Sequence, residues 1–117
     1  MNIKIYEITG KYAISADMGQ LIYDQIHTEL LNGHSVTLDF ADVDVFVSAF
    51  FNLAIGQLLK DIAPNTLNQL LKIEHLTSTG QGLLKTIIDN AKQYYSDPEH
   101  QQAVDGAIET YALSLEA

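Results

Sequence analysis

The chain has no cysteine, no arginine and only two prolines. Without cysteine it can form neither a disulfide nor a thiolate metal site. That fits a reducing compartment, and a cytoplasmic location is the expectation. Without arginine there is no planar fork to grip a phosphate or carboxylate through two parallel hydrogen bonds. The six basic residues, Lys4, Lys11, Lys60, Lys72, Lys85 and Lys92, are spread singly, so no basic stripe follows a nucleic-acid backbone. Fifteen acidic residues outweigh them and give a formal net charge of −9. This balance argues against DNA, RNA or an anionic membrane surface as partner. No apolar run approaches the roughly 18–20 residues of a membrane span. The start, "MNIKIYEITG", reads as a strand and lacks the apolar stretch of a signal peptide. From Asp97 to Ala117 the chain carries Asp97, Glu99, Asp105, Glu109 and Glu116 and no lysine, a segment suited to a basic partner.

What is present suits a globular protein. Hydrophobic residues make up 47% of the 117, enough for one domain, 1–117, with a real core. "IKIYEI" alternates with Ile3 and Ile5 on one face, and "TG" precedes "KYAIS", which predicts a hairpin over 2–14 turning at Thr9-Gly10. A helix follows, capped by Ser15 or Asp17, with Ile22, Ile26 and Leu30 on one face and "NG" at 32–33 ending it. "SVTLDF" is a strand with Val36, Leu38 and Phe40 on one face. The loop "ADVDVFV" leads from it into a helix marked by Phe51, Ile55, Leu58 and Ile62 and stopped by Pro64. "LLKIEHL" predicts a short strand, with room for a helical turn before it. The next helix opens at "TSTGQG", where Ser78 and Gln81 have capping-box spacing, and buries Leu84, Ile87, Ile88, Ala91 and Tyr95. Asp97-Pro98 predicts the start of an additional C-terminal helix with Val104, Ile108, Tyr111 and Leu115 on one side. Strands separated by helices imply parallel pairs within an α/β sandwich.

The segment "VTLDFADVDVFVSAFFNLAIGQLL" resembles the STAS-like domains of unknown function, relatives of the anti-sigma-factor antagonists. The resemblance rests on Asp39, Phe40, Val43, Ser48, Phe50, Gly56 and Leu58, and "LLKIEHLTSTGQGLLKTII" continues it. It implies an α/β, STAS-like sandwich with a mixed sheet of about four strands, working by binding another protein. A kinase-like ATPase is the kind of partner such relatives have. In the antagonists a serine at this helix start is phosphorylated and the added charge releases the partner. Here their paired hydroxyls stand as Ser48-Ala49, and the glycine that follows them is Phe50. An acceptor at position 49 would be an alanine, and that switch would be absent.

Each candidate residue has a bland reading beside its functional one. Ser48 is read first as an N-cap and second as a phosphoacceptor, because a helix start favours negative charge. It has no nucleophile elbow around it. Asp39, Asp42 and Asp44 lack the calcium-loop spacing and read as a solvated loop. "TSTGQG" lacks the lysine placement of a phosphate-binding loop. His27, His34, His75 and His100 show no metal-binding spacing, and His75 reads as a packed or edge residue. Phe50 and Phe51 are adjacent and cannot share the centre of one helical face. One would pack on the sheet while the other covers a helix edge or stands exposed as a partner anchor. Tyr94 and Tyr95 would close the core or join an interface.

The sequence therefore reads as a non-enzymatic, regulatory protein-interaction domain that needs no cofactor or metal. Its contact surface is the loop 41–48 and the helix after it, with Asp42, Asp44, Phe50 and Phe51 as partner-binding residues. Two other readings stay open: a small-ligand site near Asp42, Ser48 and Thr79, and a structural homodimer packed through the acidic C-terminal helix.

Overall fold

The computed structural model describes residues 1–96; the helix expected from Asp97-Pro98 onward lies outside the described residues. The elements in order are β1 (Asn2–Lys4), α1 (Tyr6–Thr9), β2 (Tyr12–Ala13), α2 (Ala16–Leu31), β3 (Val36–Asp39), β4 (Val45–Phe46) and α3 (Ser48–Ala54). A 3-10 helix (Gly56–Lys60), α4 (Pro64–Leu70), β5 (Leu71–Glu74) and α5 (Ser78–Ser96) complete them. Two small sheets form, one of three strands in the order β1-β3-β5 and one of two, β2-β4. Among the described residues every strand pair is parallel and the larger sheet has three strands, so the mixed, four-stranded sheet expected is not seen there.

The register makes the larger sheet one-sided. Ile3, Leu38 and Ile73 stand beside one another across the three strands and face the helices. On the other face Lys4, Asp39 and Glu74 form a row, next to a row of Asn2, Thr37 and Lys72. None of these six residues is buried. A strand's period of two sends the apolar set inward and leaves the polar set in water.

The predicted hairpin over 2–14 does not form. Ile5 already has helical backbone angles, and the N–H groups of Ile8 and Thr9 both donate to its carbonyl. The "TG" pair ends this single turn: the Gly10 N–H donates to Tyr6 O, and Gly10 has φ +68°. A left-handed residue closing a helical turn redirects the chain without reversing a strand. Tyr12–Ala13 is thereby delivered to β4 in parallel rather than to β1 in antiparallel.

Helix α2 follows its sequence signals closely. The Ser15 hydroxyl accepts from the N–H groups of Asp17 and Met18, and Asn32 and Gly33 (φ +81°) terminate the helix. Ile22, Ile26 and Leu30 are buried. The next predicted helix breaks in two. After Ala54 the chain leaves α-geometry at Ile55 and continues as the 3-10 helix. Gly56, a weak helix former, sits at the break under α5, where an added Cβ would lie 3.3 Å from Ile87 Cγ2. Phe51, Ile55, Leu58 and Ile62 are nevertheless all buried, as their spacing predicts. Pro64 does not only end a helix; it begins α4 at the position where its missing N–H is harmless. The cap of α5 falls one residue before the predicted Ser78. Thr77 Oγ1 accepts from the Gly80 N–H, and the Gln81 side-chain amide donates back to Leu76 O.

The chain's four phenylalanines gather into one cluster at the junction of β4 and α3. Phe46 and Phe51 stack at 5.4 Å between centroids, Phe40 tilts against both at 5.9 and 6.0 Å, and Phe50 meets Phe51 at 5.6 Å. On the opposite side α2 crosses α3 with almost no clearance. A Cβ at Gly19 would lie 2.5 Å from Phe50 O and 3.2 Å from Ala54 N. Backbone cannot give way as a side-chain tip can.

Two glycine substitutions with the same chemistry should therefore differ in sign. In Gly19→Ala the helical gain is overridden by forced separation of α2 and α3, and denaturant unfolding should show a loss of about 1–3 kcal/mol. Gly82, in α5, has open space around it. Gly82→Ala should stabilise by about 0.5–1 kcal/mol in the same measurement.

Candidate functional site

The loop 41–47 connects the larger sheet to α3, and its course is fixed by hydrogen bonds at both ends. Asp39 Oδ1 accepts from the Ala41 N–H at 2.9 Å, closing a local side-chain turn. Val43 N–H then donates to Phe40 O across a turn whose third residue, Asp42, has φ +68°. Aspartate is among the residues that tolerate that conformation. Beyond the turn, Asp44 and Val45 donate to Lys11 O at 2.9 and 3.1 Å, and Val47 donates to Ala13 O at 3.2 Å. These bonds create the small β2–β4 sheet, so the expected loop contains a strand, Val45–Phe46, and Tyr12–Ala13 pairs with it.

The small sheet presents an apolar strip to solvent. Ala13 is fully buried and Phe46 packs into the phenylalanine cluster, so their neighbours point outward. Tyr12 and Val45, paired across the two strands, are 55% and 42% exposed, and Ile14 is 51% exposed. Asp42 and Asp44 stand exposed beside this strip, and Lys11 reaches Asp44 at 3.9 Å in an open ion pair of little energetic weight. Asp42 and Asp44 are thus accessible to solvent.

Phe50 and Phe51 are not. Both are fully buried, so neither is an exposed anchor for a partner. Adjacent residues can both be buried here because α3 is packed on two sides. Its neighbours include α2, α5 and the phenylalanine cluster, so no α3 face that carries a phenylalanine is left to solvent.

Ser48 also differs from its first reading. The cap of α3 is Val47, in extended conformation and with no side-chain bond to the helix; Ser48 is already the first helical residue. Its hydroxyl caps nothing and makes no hydrogen bond among the described residues. The side chain is half-buried and lines a cleft of about 400 Å³ between α3 and α5, with Asn52, Gln57, Thr86, Asn90 and Tyr94. Among the described residues no charged side chain lines the cleft. Asp42 and Thr79, expected beside Ser48, are absent from its lining. Tyr94 and Tyr95 are half-buried at its end and meet edge to face at 4.7 Å.

One feature of the strand ends escaped the sequence reading. His75, after β5, has φ +59°, and its Nδ1 lies 2.9 Å from Asp39 Oδ1 at the end of β3. Asp39 is held below the usual carboxylate range by the Ala41 N–H first and by His75 second. The carboxylate raises His75 above the usual histidine range. The residues lie 36 positions apart, and only the parallel pairing of β3 with β5 brings them together. No groups of three or more histidines and carboxylates placed to hold a metal ion occur among the described residues. No helix among them is long and apolar enough to cross a membrane.

An α/β chain with parallel strands, a loop leading from Asp39-Phe40 and a helix opening at Ser48 matches the organisation that the sequence suggested. The family model of the STAS-like domain of unknown function (DUF4325) matches residues 18–81, more than half of the chain, and the chain belongs to that family. The match runs from α2 through β3, the loop, α3, α4 and β5 to the first turn of α5. No curated protein and no solved structure matches the chain.

The Asp39–His75 pair makes a specific prediction about pH. His75 is raised on folding, so its contribution is complete below about pH 6.5 and is lost as pH rises through the folded value. Asp39 is lowered, so its contribution is present above about pH 4 and fades as pH falls through the folded value. The pair should therefore stabilise the fold most between those limits. The effect should be small, because the His75 side chain is 65% exposed. His75→Asn keeps a residue tolerant of positive φ but does not titrate. Thermal melts of this variant should lack the wild-type fall in stability just above pH 6.5.

Proposed function

We propose that this chain is a non-enzymatic regulatory domain that binds another protein through the strip Tyr12, Ile14 and Val45 and the acidic loop beside it. The observation that carries this reading is the exposure of Tyr12 and Val45 on the small sheet and of Ile14 directly after β2, flanked by Asp42 and Asp44. Isolated exposed apolar residues are ordinary, but a contiguous strip with a polar rim has the composition of an interface. The acidic rim and the chain's net charge of −9 suit a partner with an apolar centre and a basic rim. Family membership supports the reading by fold, and a kinase-like ATPase is the partner type we put first.

Ser48 is the place where such binding would be regulated. It lies three residues from Val45 in sequence, at the start of α3. A phosphate there would set a dianion at the foot of the strip and weaken an apolar contact, whereas the helix start would favour the charge. The half-buried hydroxyl means that a kinase would need a local opening of the cleft.

The test is capture from the native host with the wild-type chain and three variants. Tyr12→Glu and Val45→Glu should each weaken capture of the same protein by about tenfold or more, while Leu31→Glu should not. Leu31 is similarly exposed (52%) but lies at the end of α2. Equal capture by all four chains would rule the strip out. Chain recovered from the host should carry an added phosphate mass that Ser48→Ala abolishes.

A second reading is favoured by the cleft between α3 and α5, which no charged side chain lines among the described residues. Its hydroxyl and amide groups over an apolar floor suit a compact neutral ligand. A thermal-shift screen should then show neutral metabolites raising the melting temperature, with Asn52→Leu removing the rise. No stabilisation by any of them would end this reading.

A further inference from the structure

The strongest unassigned feature is the outer edge of β5. Among the described residues β5 is an end strand of the larger sheet, with β3 on one side only. Phe40 N–H donates to Glu74 O on that side. In a parallel ladder alternate residues direct their backbone groups to one neighbour, so the N–H and C=O of Ile73 point away from β3. Beside this edge runs a groove of about 720 Å³ toward α5, lined by Ile73, Leu76, Leu84 and Ile88 with Lys85 and Lys92 at its rim. Ile73 and Ile88 are only half-buried.

We infer that this edge pairs with the same edge of a second copy of the chain, antiparallel and centred on Ile73, so that two three-stranded sheets become one of six. The sequence of β5, Leu-Lys-Ile-Glu, is self-complementary about that residue. A twofold axis at Ile73 sets Lys72 opposite Glu74 of the partner subunit, and Glu74 opposite Lys72 of the partner subunit. It also makes the two isoleucines a hydrogen-bonded pair, as the outward direction of their backbone groups requires. The flanking charged pairs then fall at non-hydrogen-bonded positions, where facing side chains approach most closely. Lysine on an edge strand ordinarily deters pairing with other strands. Here it deters every register except one: a shift of two residues about the axis sets lysine against lysine or glutamate against glutamate. The apolar side of each strand meets the groove of the other copy, where Ile73 and Ile88 of both chains lose their remaining contact with water. The interface is isologous and closes as a dimer, leaving no edge of β5 free for further growth. It uses a different sheet from the proposed partner surface, so each can fail without the other.

Sedimentation equilibrium from about 1 µM to about 1 mM, with backbone hydrogen exchange at both ends of the range, tests this. Wild-type chain should pass from monomer to dimer, and the Ile73 amide should gain protection as it does so. Lys72→Glu sets like charges against each other twice across the axis and should weaken the dimer about tenfold. The charge-swapped chain, Lys72→Glu with Glu74→Lys, should restore it. Position 72 is exposed, so circular dichroism of each variant should match the wild type. A monomer at every concentration would overturn the inference. So would a dimer that is indifferent to Lys72→Glu, or one in which the Ile73 amide exchanges as fast as in the monomer.

Discussion

The fold is organised by the confinement of α3. On one side Gly19 lets α2 approach until only a hydrogen atom fits between its Cα and the carbonyl of Phe50. On the other, Phe40, Phe46 and Phe51 fill the space between the strand ends and the helix. A helix of seven residues has little stability of its own and stays formed because both sides are packed. The bond from the Gln57 side chain to Gln20, at 3.0 Å, ties the following 3-10 helix to α2 as well. With α3 fixed, the loop 41–47 has a defined start and end, and the small sheet can form from strands of only two residues each.

The larger sheet stands under a different constraint. One face is covered by helices and the other carries Lys4, Asp39, Glu74 and their neighbours in water. Two of its strands end in a similar way: the chain passes through a non-glycine residue at positive φ, Asp42 shortly after β3 and His75 directly after β5. Such residues cost roughly 1–2 kcal/mol relative to ordinary conformations, so something nearby must offset them. The Asp39 carboxylate bonds to the backbone of one exit and to the ring at the other. A single side chain thereby holds both strand ends, and it can do so only while the strands lie parallel and in register.

Much of this was legible in the sequence, and the failures have physical causes. Ile22, Ile26 and Leu30 announced their helix face because a four-residue repeat has few other solutions, and Val36, Leu38 and Phe40 announced a strand in the same way. Ser15 and Asn32-Gly33 marked the ends of α2 by local chemistry alone. The hairpin was misread because "TG" can end a helical turn or reverse a strand, and only the partner of Tyr12–Ala13 decides between them. Phe50 and Phe51 were misplaced because a period of 3.6 assumes one buried face, whereas α3 has more than one. Serine favours the cap position, which is why Ser48 reads as one. The extended residue before the helix is Val47, and it holds the cap position without a side-chain bond. The Asp39–His75 pair and the exposed Tyr12–Val45 pair were out of reach, since both depend on strands being brought together from distant parts of the chain.

The junction of β4 and α3 has the outward look of an active site, with a serine between apolar runs and carboxylates before it. Among the described residues no histidine lines the cleft beside the serine, and Asp42 and Asp44 are exposed and lie outside its lining. What the junction does supply is stiffness under an exposed strip. Phe46 alternates with Val45, so one side chain of β4 is fixed in the aromatic cluster while the next faces outward. The same ring lies against Gly80 in the first turn of α5, where an added Cβ would come within 3.0 Å of Phe46 Cε2. A protein seated on Tyr12 and Val45 would therefore press on residues that also position α5 and the cleft at Ser48.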